Sequence, residues 1–358
     1  MTTETVPTHE LKPHVVALGT AGGPRWWKGA GQGERSGIAT AVVVGDAAYL
    51  VDMGHGVGRQ LMMAGIEIPQ IRGMFLTHLH SDHTIDLASM TVFGFLHIVD
   101  PAQRPIRILG PGNRGMLPLP SPRAATVPEP LFPENPTLGT REMVETLLRA
   151  YSTDVNDRVI DSLRPSPLKY FQAEDIVVPE STGFHPNANP TPDMEPFEIY
   201  RDELVIVTAT LVRHPPIAPA YAFRFDTAGG SVTISGDTAP CDNLVRLAAD
   251  TDLLLHEAID FDWVQRAYGS AANSTGQASI DHHKKSHTSA AEAVALANRA
   301  GAKALALHHL VPGTTPVSVW ESAGADFDGR FYVPNDLDVI PFATDSTDRI
   351  LEEMASVQ

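Results

Sequence analysis

The sequence predicts an α/β fold in which strands alternate with helices and several antiparallel hairpins are mixed in. Short apolar segments rich in β-branched residues alternate with segments of helical character, and several antiparallel hairpins interrupt this alternation. The chain has 358 residues, of which 43% are hydrophobic, so it can bury a sizeable core. Because α/β sandwiches of this size occur as single units, we expect one domain.

The first part of the chain predicts a series of strands and short helices. A strand with a Gly-rich turn comes first, and the next segment is a hairpin whose turn, Gly45-Asp46, is flanked by β-branched and apolar residues. A short buried strand then leads into a histidine-rich loop. In order, we expect a strand at 14–24, a hairpin at 39–54, a helix at 56–66, a strand at 71–77, a helix at 86–99 and a strand at 106–112.

Between about residues 116 and 200 the chain changes character, because proline becomes frequent. We interpret this stretch as an insertion with its own helix at 140–159. Long insertions in compact enzymes often shape the site, so we expect a lid or an oligomer contact. A mobile surface loop is the alternative.

Regular structure is predicted again after the insertion. The last predicted strand ends in two adjacent histidines, His308 and His309. We expect strands at 203–212, 220–227, 231–238 and 251–258, an amphipathic helix at 289–302 and a final strand at 303–312.

Composition narrows the classes of function. The formal net charge is −17, and an acidic surface repels phosphate backbones, so we do not expect a nucleic-acid partner, although a local basic patch is compatible with this total. The single cysteine, Cys241, excludes a disulfide and a cysteine-based zinc site. We see no signal peptide and no apolar run that could span a membrane, so we expect a cytoplasmic protein.

The densest chemical signal is the heptapeptide THLHSDH at 77–83. It places His78, His80, Asp82 and His83 in one loop after a buried strand. Imidazole nitrogen and carboxylate oxygen are preferred ligands of zinc and its neighbours. A His-x-His pair can direct two rings at one ion, and the Asp-His pair behind it can direct ligands at a second. The loop therefore predicts a site for two metal ions.

The remaining ligands must come from other strand ends. His214, Asp237, and either His308 or His309 each follow a predicted strand. The carboxyl ends of strands are where active sites collect in α/β proteins. We therefore expect these side chains to converge on the histidine loop.

These motifs together resemble the metallo-β-lactamase superfamily, within it the branch of RNase Z and the arylsulfatase-like hydrolases. The resemblance implies an αββα sandwich, in which two mixed β-sheets are flanked by helices, and it covers roughly residues 14–112 and 203–312. It is carried by the heptapeptide above and by five further motifs: LGTAGGP at 18–24, SGDT at 235–238, LHEA at 255–258, SHTS at 286–289 and HHLVP at 308–312.

The resemblance also implies a role for each matched residue. His78, His80 and His214 would hold one metal, and Asp82, His83 and His309 the other, with His308 as a rival of His309. Asp237 would bridge both ions, and Asp52 would orient the histidine loop. The expected cofactors are two Zn²⁺ ions, with Mn²⁺ or Fe²⁺ as alternatives.

The implied chemistry is hydrolysis by a metal-bridging hydroxide. We expect Asp82 to accept or relay a proton, and His287 to act as the general acid, held in its tautomer by Glu257. Trp26, Trp27 and His55 are candidate substrate contacts, with a packing or structural role as the alternative. Residues 281–285, DHHKK, are interpreted as a solvated turn.

For the substrate we expect a small molecule, namely an ester, a lactone, an amide or a sulfate ester. An RNase Z-like phosphodiesterase that cuts the 3′ end of tRNA is one alternative, and a non-catalytic metal-binding scaffold is the other. The net charge of −17 and the acidic, proline-rich insertion argue against a tRNA substrate. The resemblance also suggests a homodimer.

Overall fold

A computed structural model describes residues 13–26, 35–269 and 274–342. None of the helices in these ranges is long and apolar enough to cross a membrane. The strands are β1 (His14–Gly19), β2 (Ala39–Val44), β3 (Ala47–Val51), β4 (Ile71–Phe75), β5 (Ile106–Pro111), β6 (Phe171–Ile176), β7 (Phe197–Arg201), β8 (Val205–Leu211), β9 (Tyr221–Thr227), β10 (Gly230–Ile234), β11 (Leu253–Ile259), β12 (Ala304–Val311), β13 (Arg330–Tyr332) and β14 (Val339–Pro341).

The helices lie between these strands and vary widely in length. They are α1 (Val57–Met63), α2 (Ser81–Thr84), α3 (Leu87–Val92), α4 (Gly94–His97), α5 (Thr140–Ala150), α6 (Ser152–Ile160), α7 (Pro167–Tyr170), α8 (Asp242–Leu247), α9 (Phe261–Tyr268), α10 (Ser274–Ser286), α11 (Ala290–Ala300) and α12 (Val317–Glu321).

The strands form two seven-stranded mixed sheets. The first has the order β14-β1-β2-β3-β4-β5-β6 and the second the order β13-β12-β11-β10-β9-β8-β7. In each sheet one half is antiparallel and the other parallel: β3 to β6 pair in parallel, as do β10 to β13. The predicted fold class, two mixed sheets flanked by helices, is confirmed.

The main core lies between the two sheets. Phe75 of β4 meets Phe225 of β9 edge to face, with 5.3 Å between ring centroids, and meets Tyr200 at 5.5 Å. Such edge-to-face ring contacts stabilise a core beyond the area they bury. The outer face of each sheet is covered by helices: Leu87 packs on the first sheet and Val294 on the second.

The parallel halves of the sheets position the site. Strand β4 ends just before the histidine loop, β10 just before Asp237, and β12 carries His309 near its end. Because parallel strands present their carboxyl ends at one edge, residues from both sheets meet at the same rim of the sandwich.

The stretch 116–200 is partly integrated into this framework. Strand β6 joins the edge of the first sheet next to β5, and helix α5 buries Val144 and Leu148 in the core outside that sheet. The predicted helix at 140–159 is two helices, α5 and α6, separated at Tyr151, whose backbone departs from helical geometry (φ −98°, ψ 14°).

Candidate metal centre

Asp52 organises the histidine loop from the end of β3. Its carboxylate accepts a hydrogen bond from the Thr77 backbone N–H at 2.8 Å and lies 2.7 Å from Nδ1 of His83. Thr77 Oγ1 in turn lies 3.1 Å from Nδ1 of His78. With their Nδ1 atoms held in this way, His78 and His83 present Nε2 to the cavity, an arrangement that partner groups behind metal-binding histidines commonly produce.

Three imidazoles form the first donor group. Nδ1 of His80 lies 2.9 Å from Nε2 of His78 and 3.2 Å from Nε2 of His214, whose own Nδ1 faces the Ser286 carbonyl at 2.8 Å. Ligands about 2.0 Å from a tetrahedral zinc ion lie about 3.3 Å apart, close to these spacings. Burial holds the pKa of His78 and of His214 well below the usual range, so both rings are neutral and offer a lone pair.

Two carboxylates and two imidazoles form the second donor group. Nε2 of His309 lies 3.2 Å from Asp237 Oδ1 and 3.4 Å from Asp82 Oδ2, and Nε2 of His83 lies 3.3 Å and 3.6 Å from the same two atoms. Although burial opposes ionisation, His83 and His309 hold the pKa of Asp82 below its ordinary value. The backbone N–H of Gly23 also donates to Asp82 Oδ2 at 2.9 Å.

Asp237 lies between the two groups. Its Oδ1 faces the second group, as described above, and its Oδ2 lies 3.9 Å from Nε2 of His78 and 3.8 Å from Nε2 of His214 in the first. One carboxylate therefore presents one oxygen to each donor group, which is the position of a bridging ligand.

The donor set fits a pair of divalent cations. Among the described residues, Nε2 of His83 and Oδ1 of Asp237 are buried and, although they lie 3.3 Å apart, they are not aligned for a hydrogen bond with each other or with any other group. Burial lowers the pKa of His83, but the negative charges of Asp237, Asp52 and Asp82 have the larger effect and raise this pKa well above its usual value. The space between the donor groups therefore favours positive charge. Neutral imidazoles and ionised carboxylates suit zinc and similar metals.

A bulge in β12 separates the two adjacent histidines. Glu257 pairs with His308 and Ala258 with Leu310, so His309 is the extra residue, with a φ of 47°. Bulges often re-aim a side chain beside an active site, and this one directs His309 into the second donor group. His308 is buried outside both groups, and burial lowers its pKa to about 3.

His287 and Glu257 form a buried pair beside the metal groups. Nδ1 of His287 lies 3.0 Å and 3.1 Å from the two carboxylate oxygens of Glu257, which also accepts the Thr238 N–H at 2.7 Å. Burial disfavours the charged ring, but Glu257 and Asp237 outweigh it and raise the pKa of His287 to about 9. The ring is therefore held in one orientation, and the neighbouring carboxylates favour its protonated form.

The candidate substrate contacts are partly described. The Trp26 side chain is 86% exposed, and its ring lies 6.3 Å from the His55 ring, centroid to centroid, in an edge-to-face arrangement. Both residues line a cavity of about 540 Å³ that also reaches Asp82. Trp27 lies outside the described residues.

The expectation of a solvated turn at 281–285 is wrong. The segment belongs to α10, and His282 and His283 are half-buried and line a cavity of about 290 Å³ together with Asp82, Asp237 and His287. The spacing of four residues between His283 and His287, which places two side chains on one helix face, could have indicated this. Trp263, Tyr268 and Arg25 line the same cavity and carry no sequence motif.

Comparison with known proteins defines the family. A family model described as "Metallo-beta-lactamase superfamily" matches residues 33–94, and one described as "Beta-lactamase superfamily domain" matches residues 137–310. A Ribonuclease Z of Mycobacterium bovis is 32% identical over 312 residues, covering 85% of this chain and 91% of the relative. A Ribonuclease Z of Mycolicibacterium gilvum is 29% identical, covering 85% and 89%.

Solved structures agree at the level of the fold. The short form of human tRNase Z has a TM-score of 0.58 at 19% identity, over 92% of this chain and 100% of that one. The protein YhfI from Bacillus subtilis has a TM-score of 0.55 at 17% identity, over 91% and 98%.

The expectations of a small-molecule substrate and of no nucleic-acid partner are wrong, because the curated relatives are named Ribonuclease Z. The error came from the net charge of −17, which is a sum over the whole chain and says nothing of its distribution. Locally, Arg25, Arg35 and Arg59 line the cavity that reaches Asp82. We call these three arginines the basic patch; they place positive charge at this cavity, although Asp336 and Asp338 offset part of the charge of Arg35.

The fold and the relatives imply a divalent-metal centre, which the two joined donor groups fit. The chain therefore belongs to the metallo-beta-lactamase superfamily, on the branch of its Ribonuclease Z relatives, and is a metal-dependent hydrolase.

Proposed function

We propose that the protein is an RNase Z-like endonuclease that cleaves a phosphodiester bond of a 3′-extended tRNA. The observation that supports this most strongly is the pairing of two donor groups through Asp237 beside the His287–Glu257 pair, in a chain 32% identical to a Ribonuclease Z. We propose Zn²⁺ in both groups, with Mn²⁺ or Fe²⁺ as alternatives.

In this proposal His78, His80 and His214 hold one cation, Asp82, His83 and His309 hold the other, and Asp237 bridges them. When bound, two divalent cations neutralise the negative charge of a phosphodiester and make a nearby water acidic enough to attack near neutral pH. The protein's own side chains carry out the two proton transfers.

Asp82 and His287 are the proposed proton-transfer groups. The Gly23 N–H fixes Asp82 through Oδ2, which orients its other oxygen to take a proton from the attacking water. His287 gives its proton to the departing oxygen of the RNA, and Glu257 holds the ring through Nδ1, leaving Nε2 as the donor atom. A leaving alkoxide is a strong base, so this protonation lowers the barrier.

The basic patch formed by Arg25, Arg35 and Arg59 supports an RNA substrate. Phosphate contacts from arginine bring the RNA backbone to the cavity despite the negative total charge. Arg35 is held in place by Thr20 Oγ1 at 2.6 Å and by the Pro334 carbonyl at 2.8 Å, so it lines the cavity in a fixed orientation.

The test is cleavage of a 3′-extended tRNA by the zinc-loaded protein and by Asp237→Asn. We expect the wild type to release the 3′ extension as one discrete fragment, and Asp237→Asn to lose most bound metal and cleavage. The matched control is Asp226→Asn, a carboxylate that pairs with Arg224 at 3.0 Å on β9 and belongs to neither donor group. A zinc-loaded wild type that leaves the tRNA intact would contradict the proposal.

Three further expectations remain predictions. They are a homodimer, a cytoplasmic location, and a lid or oligomer-contact role for residues 116–200. For the last, Arg114 donates to the Asn187 side chain at 2.7 Å and to the Pro216 carbonyl at 2.7 Å, which ties this stretch to the loop after His214.

A further inference from the structure

One wall of the cavity beside the metal groups is built from aromatic rings that the proposed chemistry does not use. Trp263 and Tyr268 come from α9, and His283 comes from α10. We call these three residues the aromatic wall. They belong neither to the two donor groups that Asp237 joins nor to the His287–Glu257 pair.

The aromatic wall is a packed unit. The Trp263 and Tyr268 centroids are 5.9 Å apart, those of Tyr268 and His283 are 5.6 Å apart, and those of Trp263 and His283 are 6.4 Å apart. The guanidinium of Arg25 lies 5.8 Å from both the Trp263 and the Tyr268 ring centroids and donates to Tyr268 Oη at 2.6 Å. The rings are thus fixed against one another instead of rotating independently in solvent.

The wall is half-buried and adjoins the reactive groups. Trp263, Tyr268 and His283 are each intermediate in exposure, so part of each ring stays accessible. The His283 ring lies 5.6 Å from the His287 ring, which stacks at 6.3 Å on the His309 ring of the second donor group. The same cavity of about 290 Å³ is thus lined by the wall, by His287 and by Asp82, Asp237 and His309 of the second donor group.

The aromatic wall and Arg25 together form a surface suited to stacking a planar ring. A fixed aromatic surface with an arginine at its edge binds planar, electron-rich rings by stacking, and every nucleobase offers such a face. A phosphodiester at the donor groups has a nucleoside on each side. One of the two bases can therefore reach the wall from inside the same cavity.

We propose that the aromatic wall is a nucleobase subsite that stacks the base next to the scissile phosphate. This inference rests on the proposed RNA cleavage, and it identifies the position at which the enzyme binds the base of the nucleotide. Every nucleobase has a flat face that can stack on an aromatic ring. We therefore expect the subsite to bind a nucleotide more tightly than the same sugar phosphate without a base, and to discriminate weakly among the bases.

The test compares the binding of AMP and of ribose 5-phosphate to the zinc-loaded protein by calorimetry. Both ligands carry the same phosphate and sugar, so the ratio of their Kd values measures what the base adds. We expect AMP to bind about 5- to 150-fold more tightly than ribose 5-phosphate, the range typical of one stacked base. UMP should bind between the two, since its ring is smaller.

Variants assign the effect to the wall. Trp263→Leu should bring the ratio to within about twofold of one while leaving the Kd of ribose 5-phosphate unchanged, whereas Trp263→Phe should keep most of the ratio. Tyr268→Leu should lower the ratio in the same way, but it also removes the hydrogen-bond acceptor of Arg25, so the change in its Kd for ribose 5-phosphate is measured alongside. The matched control is Tyr151→Leu, which removes a 48% exposed ring at the end of α5. Two separate wall variants keep the test valid if one of them fails to fold.

The outcomes separate the subsite from the proposed function. A wild-type ratio near one, or a ratio that neither wall variant changes, would overturn the subsite even if the same preparation cleaves 3′-extended tRNA. A ratio that falls as expected in a preparation that does not cleave tRNA would support the subsite and overturn the proposed function.

Discussion

Removing the His287 side chain separates proton donation from metal binding. In His287→Ala the imidazole that Glu257 holds at 3.0–3.1 Å is lost, and we expect kcat for 3′-extended tRNA to fall about 10²- to 10⁴-fold, the range for a positioned general acid. Bis-p-nitrophenyl phosphate releases a weakly basic phenolate that needs no proton, so its turnover should fall less than about tenfold. The assay is steady-state kinetics on both substrates with zinc content measured in parallel.

An alternative role for His287 is metal binding, because the donor atoms of His214, Asp237 and His287 also lie close enough together to hold an ion. Under that alternative His287→Ala would lose metal and lose both activities equally. Equal losses on the two substrates, with or without loss of zinc, would refute the general-acid assignment. Glu257→Gln is the companion variant: it keeps the size of the side chain but removes the charge, and it should show the same substrate-dependent pattern with a smaller loss.

Three further predictions concern the ligands and their support. His309→Asn should lose zinc from the second donor group, whereas His308→Asn should retain it. Asparagine is chosen because it tolerates the φ of 47° at position 309. Equal zinc contents in the two variants would contradict the assignment of His309. Asp52→Asn should weaken zinc affinity about 10- to 100-fold in a chelator competition. Asparagine also tolerates the φ of 62°, but it removes the charge facing His83 and replaces one acceptor oxygen by an NH2 donor; unchanged affinity would show that Asp52 does not support the site. Gly22→Val should lower zinc content, because a Cβ at Gly22 would lie 2.3 Å from the His309 ring, and full zinc content in that variant would be inconsistent with this packing.

The family resemblance predicted the fold class, and the sequence predicted that the donor residues cluster, because the motifs that carry both signals are local. The heptapeptide at 77–83 holds four donors in one loop, and a strand before it is visible from its apolar run. Asp237 and His214 follow strands in the same way. Once parallel strands are expected, their carboxyl ends must meet, so convergence of these side chains needs no knowledge of detailed packing.

The choice between His308 and His309 was not visible in the pattern of residues. In a regular strand two adjacent side chains point to opposite faces, and one extra residue changes which of them points inward. The bulge between Glu257 and Ala258 in the pairing of β11 with β12 directs His309 toward the second donor group, and it depends on the neighbouring strand.

The parts that the sequence missed depend on long-range packing. Strand β6 lies in the proline-rich stretch and is an edge strand whose middle residues are only partly covered, so it lacks the apolar run of a buried strand. The aromatic wall depends on how α9 docks on α10 and on a contact between Arg25 and Tyr268, 243 residues apart in the chain. The substrate class was misjudged because a total charge does not reveal a patch.

The most direct test of the central claim is a zinc titration of the metal-free protein, with cleavage of 3′-extended tRNA measured at each step. Two donor groups joined by Asp237 predict that cleavage rises until two equivalents of zinc are bound and that a chelator abolishes it. Full cleavage at one equivalent, cleavage that survives complete removal of metal, or no cleavage with both equivalents bound would each contradict an RNA-cleaving centre of two metals.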